Sequence, residues 1–339
     1  MKPFAILAFI LLALQTSFFT RSALAQEVPT APLSTQGILH ISSNLVLVPV
    51  IALNLKNGLP DKTLQREDFQ VFDNGRPVSI QTFDSGASAR PLVLWFVVQC
   101  SMGQGYDAKG SGFFRGQISR FTPALKYLEK QDTVAAAHWC DNGDSRVDLL
   151  PTSNVEKAAT TLEQVLAPTI HADDHDRTGE LALQKTLQLI VDATRSMEPE
   201  PVPVVIFLYG DYSGMDKSEA DHFVDELLET SAIAYGLKDS RSPQVGWLES
   251  RLWGEQAAVA NYIAAETGGQ YLRVTPETYA TGLEEILQQV HFRYELGFTP
   301  EALDGKRHGL RVKLADAAKK QHKGVRLRFR LAYVPVAPR

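Results

Sequence analysis

The sequence predicts an α/β protein: a doubly wound, mostly parallel sheet, with β segments at both ends of the chain that pair into one β-sandwich. Three observations predict it. Within residues 91–291, continuous apolar runs such as 92–98 and 204–208 alternate with apolar stripes at helical spacing. That is the pattern of parallel strands covered on both faces by helices. On either side of that region the rhythm changes to strand-forming, mostly alternating runs, as in antiparallel strands with one wet face. Finally, 339 residues with 44% hydrophobic and 22% charged side chains suit about two domains with full cores rather than a disordered chain.

Taken in order, residues 1–25 read as a secretory signal peptide. Lys2 precedes the apolar run 4–14, and Ala23-Leu24-Ala25 supplies the small-x-small pattern before Gln26. The run is too short to span a bilayer comfortably; an uncleaved N-terminal anchor is the alternative. Cleavage near Ala25 removes Lys2 and Arg21, leaving 32 basic against 39 acidic side chains, a net charge of −7. Residues 26–39 are a Pro/Ser/Thr-rich, flexible lead-in. Residues 40–90 form the N-terminal β segment, with turns at Asn57-Gly58 and Asp73-Asn74-Gly75; alternating apolar residues around the second mark a hairpin.

Residues 91–291 carry the α/β pattern. Strands are expected at 92–98, 134–139, 204–208, 233–237 and 271–274. Helical stripes comprise Ile118, Phe121, Leu125 and Leu128; Val155, Ala158, Leu162 and Val165; and Leu183, Leu187, Ile190 and Val191. Ser218 is placed to cap a helix buried through Phe223, Val224, Leu227 and Leu228, and further helices are expected over 251–267 and 277–290. Residues 292–335 form the C-terminal β segment, with half-exposed strands at 294–298, 310–314 and 325–331.

In an open parallel sheet, ligands bind beyond the carboxyl ends of the strands, where strand order reverses. The loops there read Gln99-Cys100-Ser101-Met102-Gly103, Asp176-Arg177-Thr178-Gly179 and Tyr209-Gly210-Asp211-Tyr212. Three further stretches flank them in order: Glu67 to Gly75 (EDFQVFDNG), Ala264 to Tyr271 (AAETGGQY) and Tyr294 to Pro300 (YELGFTP). Together these resemble the bacterial family related to the von Willebrand factor A domain, over roughly residues 40–335. The resemblance implies a metal-ion-dependent adhesion site, in which an Asp-x-Ser-x-Ser loop, a Thr and a second Asp surround Mg²⁺ and a partner's carboxylate completes the shell. Here those five positions fall on Gln99, Ser101, Gly103, Thr178 and Gly210, with Asp211 one residue late. Mg²⁺ sheds water reluctantly and is normally held by one or two carboxylates. Two hydroxyls and an amide do not replace them, so no Mg²⁺ or Mn²⁺ is expected and no cofactor is implied; a shifted Asp211 is the one route to a ligand.

The two cysteines, Cys100 and Cys140, exclude a disulfide-dense fold and a four-cysteine zinc site. They end the first two predicted strands, so an oxidising compartment permits a bridge; two buried thiols are the alternative. Met102, Trp139, Tyr209, Tyr212 and Met215 stand at the same rim and suit a protein-binding surface, or pack beneath the loops; Trp247 and Trp253 flank a further loop. The run His171 to Asp176 (HADDHD) reads as a solvated loop at a helix N-terminus, with Zn²⁺ or Ni²⁺ ligation as the alternative.

An acidic chain does not suit nucleic acid. Nucleotide-binding and hydrolase motifs are missing; Ser101 with His138 or His175 is the nearest to a nucleophile pair, without a recognisable orienting carboxylate. The expectation is therefore a secreted or periplasmic, non-enzymatic module that binds another protein without a cation. The alternatives are a serine-type hydrolase using Ser101 and a structural envelope protein.

Overall fold

A computed structural model of the chain describes residues 45–86, 90–99, 124–140, 143–165, 178–197, 201–209, 217–239, 259–275 and 277–335. The N-terminal β segment supplies β1 (Val46–Asn54), β2 (Phe69–Asp73), β3 (Arg76–Val78) and β4 (Thr82–Asp84). The hairpin β2–β3 turns at Asn74 (φ 45) and Gly75 (φ 81), the left-handed pair that a tight Asn-Gly turn requires. The C-terminal segment supplies β11 (Tyr294–Phe298), β12 (His308–Leu314), a short helix α6 (Asp316–Gln321), β13 (Val325–Phe329) and β14 (Ala332–Tyr333).

These two ends of the chain share their sheets. One sheet runs β13-β1-β11-β4 and the other β14-β12-β2-β3, so each mixes strands from before and after the central region. Val48, Val50, Phe69, Val71, Leu296, Phe298, Leu310 and Val312 form one core between them. The expected β-sandwich is thus present, and neither end can bury its apolar face without the other. Strand β12 alternates buried and exposed positions as expected. β11 does not: all five residues are buried. It lies between β1 and β4, and its second face carries Glu295, which meets Arg90 at 3.1 Å, instead of reaching water. β13 ends at Phe329, two residues earlier than expected.

Between β4 and β11 the chain builds β5 (Leu92–Gln99), β6 (Thr133–Trp139), β7 (Ser145–Thr152), α1 (Val155–Val165), α2 (Thr178–Arg195) and β8 (Val202–Tyr209). There follow α3 (Lys217–Glu229), β9 (Ile233–Asp239), α4 (Val259–Thr267), β10 (Tyr271–Val274) and α5 (Tyr279–His291). The six strands pair in the order β10-β9-β8-β5-β6-β7, all parallel except β7 on β6. Leu92 to Val98 are all buried, which is why that run shows no alternation. The helical stripes pack as their spacing predicts: Leu183, Leu187, Ile190 and Val191 of α2 and Phe223, Val224, Leu227 and Leu228 of α3 are buried. Each such side chain contributes about 1.5–3 kcal/mol.

Strand β7 was not expected. Its register on β6 shifts twice, between Val134 and Ala136 and between Ala136 and Ala137, and such irregularities erase the period-two signal. Helix α3 starts at Lys217, so Ser218 lies inside its first turn rather than capping it. Ile118 and Phe121 lie outside the described residues, as does the start of the helix expected from 251. Among the described residues, no helix is long and apolar enough to cross a membrane.

Candidate functional site

The strand order reverses between β5 and β8. β5 leads to β6 and β7 on one side of the sheet, and β8 leads to β9 and β10 on the other. The chain therefore departs in opposite directions from the neighbours β5 and β8, and in open α/β sheets ligands bind beyond the carboxyl ends at such a point. Gln99 closes β5 and Tyr209 closes β8. Helix α2 descends along the sheet from this rim. Thr186 Oγ1 donates to the His138 carbonyl near the end of β6 at 3.1 Å. Two turns later, Thr194 Oγ1 accepts from Trp95 Nε1 in mid-strand at 3.2 Å. Thr178, the first residue of α2, thus starts at the same end of the sheet as Gln99 and Tyr209.

The best-defined side chains of the rim surround His138, on β6. Its Nδ1 lies 2.7 Å from Asp148 Oδ2 and its Nε2 lies 3.3 Å from Asp144 Oδ2. The His138 and Asp148 side chains are only 4% and 6% exposed. Arg146 Nε donates to the other Asp148 oxygen at 3.0 Å. Burial alone would push the imidazole pKa down; the Asp148 and Asp144 carboxylates outweigh it and hold the value above the ordinary one. Carboxylates on both ring nitrogens favour the doubly protonated ring, the imidazolium, over either neutral tautomer. In that charged form the ring has no lone pair with which to act as a base.

Cys140 follows on the same strand end and is fully buried. Its backbone N–H donates to the Asp144 carbonyl at 2.8 Å, and its own carbonyl accepts from Gly143 at 3.0 Å. Asp144 is thereby held beside His138. Nitrogen, sulfur and carboxylate atoms of His138, Cys140 and Asp144 lie within 4.8 Å of one another. Both His138 nitrogens face carboxylates, and no thiol among the described residues is free.

Six strands in this order, an antiparallel outer strand and the reversal between β5 and β8 decide the architecture. The central domain is von Willebrand factor A-like in fold. No family model matches the chain, and no curated protein does. Among solved structures, the chain is similar to BatB, a conserved hypothetical protein from Bacteroides thetaiotaomicron, at 14% identity, 59% of this chain, 97% of that one and a TM-score of 0.40. It is similar to a von Willebrand factor type A protein from Catenulispora acidiphila at 11% identity, 81% and 75% coverage and a TM-score of 0.43. It is also similar to the von Willebrand factor domain of the type V pili tip protein Mfa5 from Porphyromonas gingivalis, at 9% identity, 60% and 96% coverage and a TM-score of 0.40.

The rim of the A-like domain brings together the backbones of Gln99, Thr178 and Tyr209, three of the expected positions. Cys100, Ser101, Met102, Gly103, Gly210, Asp211, Tyr212 and Met215 lie outside the described residues, as do residues 171–176, Trp247 and Trp253. Trp139 is not offered to a partner. It is 4% exposed and belongs to the core of the domain, because β6 runs between β5 and β7 with helices packed on it. The His138–Asp148 pair was missed by the sequence reading. Its carboxylate comes from β7, the strand whose pattern was broken. The available signal was the alternation of Asp144, Arg146 and Asp148, which puts three charges on one face of a strand.

Proposed function

We propose that the chain is an exported, non-enzymatic interaction module whose partner protein docks on the strand-end rim of the A-like domain without a bridging cation. The observation that carries this reading is the end of β5. At this reversal of strand order, where the family resemblance calls for an aspartate, the strand closes on Gln99. Thr178 starts α2 at the same rim, but a hydroxyl and an amide do not offset the dehydration of Mg²⁺ or Mn²⁺. The sequence puts Gly103 and Gly210 at two more ligand positions, which removes two further oxygens. A partner must then be held by apolar contact and neutral hydrogen bonds. Export rests on the N-terminal sequence pattern.

A Cys100–Cys140 bridge belongs to the same proposal. Gln99 lies opposite Trp139 in the parallel register, the residue that follows each in the sequence is a cysteine, and these are the chain's only two. A bridge closing about 40 residues stabilises the fold by roughly 3–4 kcal/mol in the chain-entropy model and ties the rim together where a metal would otherwise organise it. The hydrolase alternative loses support at His138, whose two nitrogens are both committed to carboxylates.

Isothermal titration with Mg²⁺ and Mn²⁺ tests the central point, with no saturable heat expected from either ion. Micromolar binding that disappears in Asp211→Ala would overturn cation-free docking. A fluorophosphonate probe is expected to leave Ser101 unlabelled, and partner capture from envelope extracts is expected to be insensitive to chelator.

A further inference from the structure

A second surface lies at the other end of the molecule. The turn after β1 and the turn before β13 are tied together: the Leu55 N–H donates to the Gly324 carbonyl at 2.9 Å, and Asn54 pairs with Val325. Beside them stands Phe292, which links α5 to β11, with Lys62 Nζ 3.0 Å from its ring centroid. Leu55 is 64% exposed, Leu59 51% and Phe292 37%. These are three of the five large hydrophobic side chains exposed among the described residues, gathered at one end of the sandwich. Exposed apolar side chains scattered singly need no explanation, but a group of them with a charged border marks a contact surface.

The border is cationic. Lys56, Lys62 and Lys323 are exposed around these apolar side chains. Asp61, the carboxylate among them, is engaged by His322 Nδ1 at 3.2 Å and by Thr63 Oγ1 at 2.6 Å. The wider charge distribution has the same sense. Residues 292–339 hold twelve Lys or Arg against four Asp or Glu, a net of +8, whereas residues 91–291 hold fifteen against twenty-nine, a net of −14. An anionic surface therefore attracts the C-terminal half of the sandwich and repels the A-like domain. Phe292 also follows His291, whose Nε2 meets Asp132 at 2.7 Å, and Asp132 accepts from the Leu92 N–H at the start of β5. The surface thus lies beside the amino ends of the parallel strands, opposite the rim at their carboxyl ends.

We infer that this end of the sandwich is a lipid-docking surface. Leu55 and Leu59 insert among the headgroups of an anionic bilayer, while Lys56, Lys62 and Lys323 meet the lipid phosphates. Apolar side chains at interfacial depth beside a basic border are what peripheral attachment requires, and each lysine near an anionic leaflet is worth about fivefold in affinity. Docking in this sense leaves the strand-end rim facing away from the membrane. The inference does not depend on how the rim binds its partner.

The test is co-sedimentation of the chain from Gln26 onward, which retains the whole compact unit 43–339, with vesicles of phosphatidylglycerol and phosphatidylcholine in equal parts, and with phosphatidylcholine alone. Binding to the first and not the second is expected, weakening as salt rises. L55S/L59S is expected to lose about tenfold or more in partitioning. K56Q/K323Q is expected to lose roughly tenfold or more, with both variants keeping the wild-type thermal midpoint because the side chains are exposed. No sedimentation at low salt overturns the inference, as does binding that L55S/L59S retains in full. Self-association without vesicles that the same substitutions abolish would assign the surface to a second copy of the chain and overturn the lipid assignment.

Discussion

His138 shows how a single residue's surroundings set its chemistry. Its ring is buried, yet it stays charged to higher pH than a free imidazole, because Asp148 and Asp144 together outweigh the cost of burial. The folded chain then holds this proton more tightly than the unfolded chain. Its contribution to stability is complete below the ordinary value of 6.5 and fades as the pH climbs through the folded-state value. Proton NMR is expected to show the His138 ring titrating above 6.5, and His138→Gln is expected to flatten the alkaline arm of the stability–pH curve. An unchanged alkaline arm would show that the His138 proton contributes nothing to stability. Asp132 works with the opposite sign. Burial pushes its carboxyl up, but hydrogen bonds from His291 and from the Leu92 and Glu129 N–H groups hold it below its usual range. Its share is present above 3.8 and is lost as the pH falls through the folded-state value. Removing one partner of the buried pair is harsher than titrating it. Asp148→Asn leaves the imidazolium facing a neutral amide inside the protein, at an expected cost of about 3 kcal/mol, read as a lower urea midpoint at pH 6.

At the scale of elements, the three stretches that carry the family resemblance are fold devices rather than ligand devices. In the first, Asp68 Oδ2 accepts the Gln65 N–H at 2.7 Å and Asp73 meets His308 Nδ1 at 3.1 Å. In the last, the Tyr294 hydroxyl donates to the Asp61 carbonyl at 2.9 Å and accepts the Leu64 N–H at 3.1 Å. In the middle one, Thr267 Oγ1 accepts the Ala234 N–H at 2.9 Å, Glu266 pairs with Arg307, and the turn that follows is wedged between β9 and the end of β13. A Cβ on Gly269 would collide with the Ala234 carbonyl, and Gly268 has φ +86 with Phe329 backbone at 2.6 Å from its ideal Cβ. Gly269→Ala is therefore expected to cost about 3 kcal/mol in a urea titration; a cost near zero would mean the turn yields freely. This is also why the fold was readable and the site only partly so. Uninterrupted apolar strands, helical stripes and an Asn-Gly hairpin each report a local physical preference. β7 carries no such regular pattern, and the Glu295 face of β11 reads as solvent-facing until its arginine partners are in place. For Trp139 the sequence left a partner surface and packing beneath the loops both open, because its place at a strand end does not say which way the ring turns; it is buried.

On the scale of the whole molecule, the decisive contacts join the sandwich to the A-like domain through buried arginines. Arg330, at the end of β13, is 3% exposed. It donates to the Leu228 carbonyl in α3 at 2.9 Å and to the Leu47 carbonyl in β1 at 2.6 Å. Burial pulls its pKa down to about 10, so at neutral pH it is still a cation, held by carbonyl oxygens. Arg293, equally buried, donates to Val290 and Arg90 carbonyls at 3.0 Å each. Each guanidinium bridges elements of both parts, and residues 43–339 form one compact unit. The sandwich itself exists only when strands from before and after the A-like domain meet in its sheets, so the A-like domain is an insertion anchored at both its ends. Both arginines belong to the sandwich, so losing the A-like domain strips carbonyl partners from buried cations, and losing the sandwich takes the donors from those carbonyls, which couples the unfolding of the two parts. Calorimetry of the chain from Gln26 onward is accordingly expected to give one transition. Arg330→Ala leaves the Leu228 and Leu47 carbonyls without their donor, at roughly 1–3 kcal/mol each, and is expected to lower that single transition. Two well-separated transitions in the wild type, or release of a stable 91–291 fragment by limited proteolysis, would show that the two parts fold independently and that the buried arginines do not couple them.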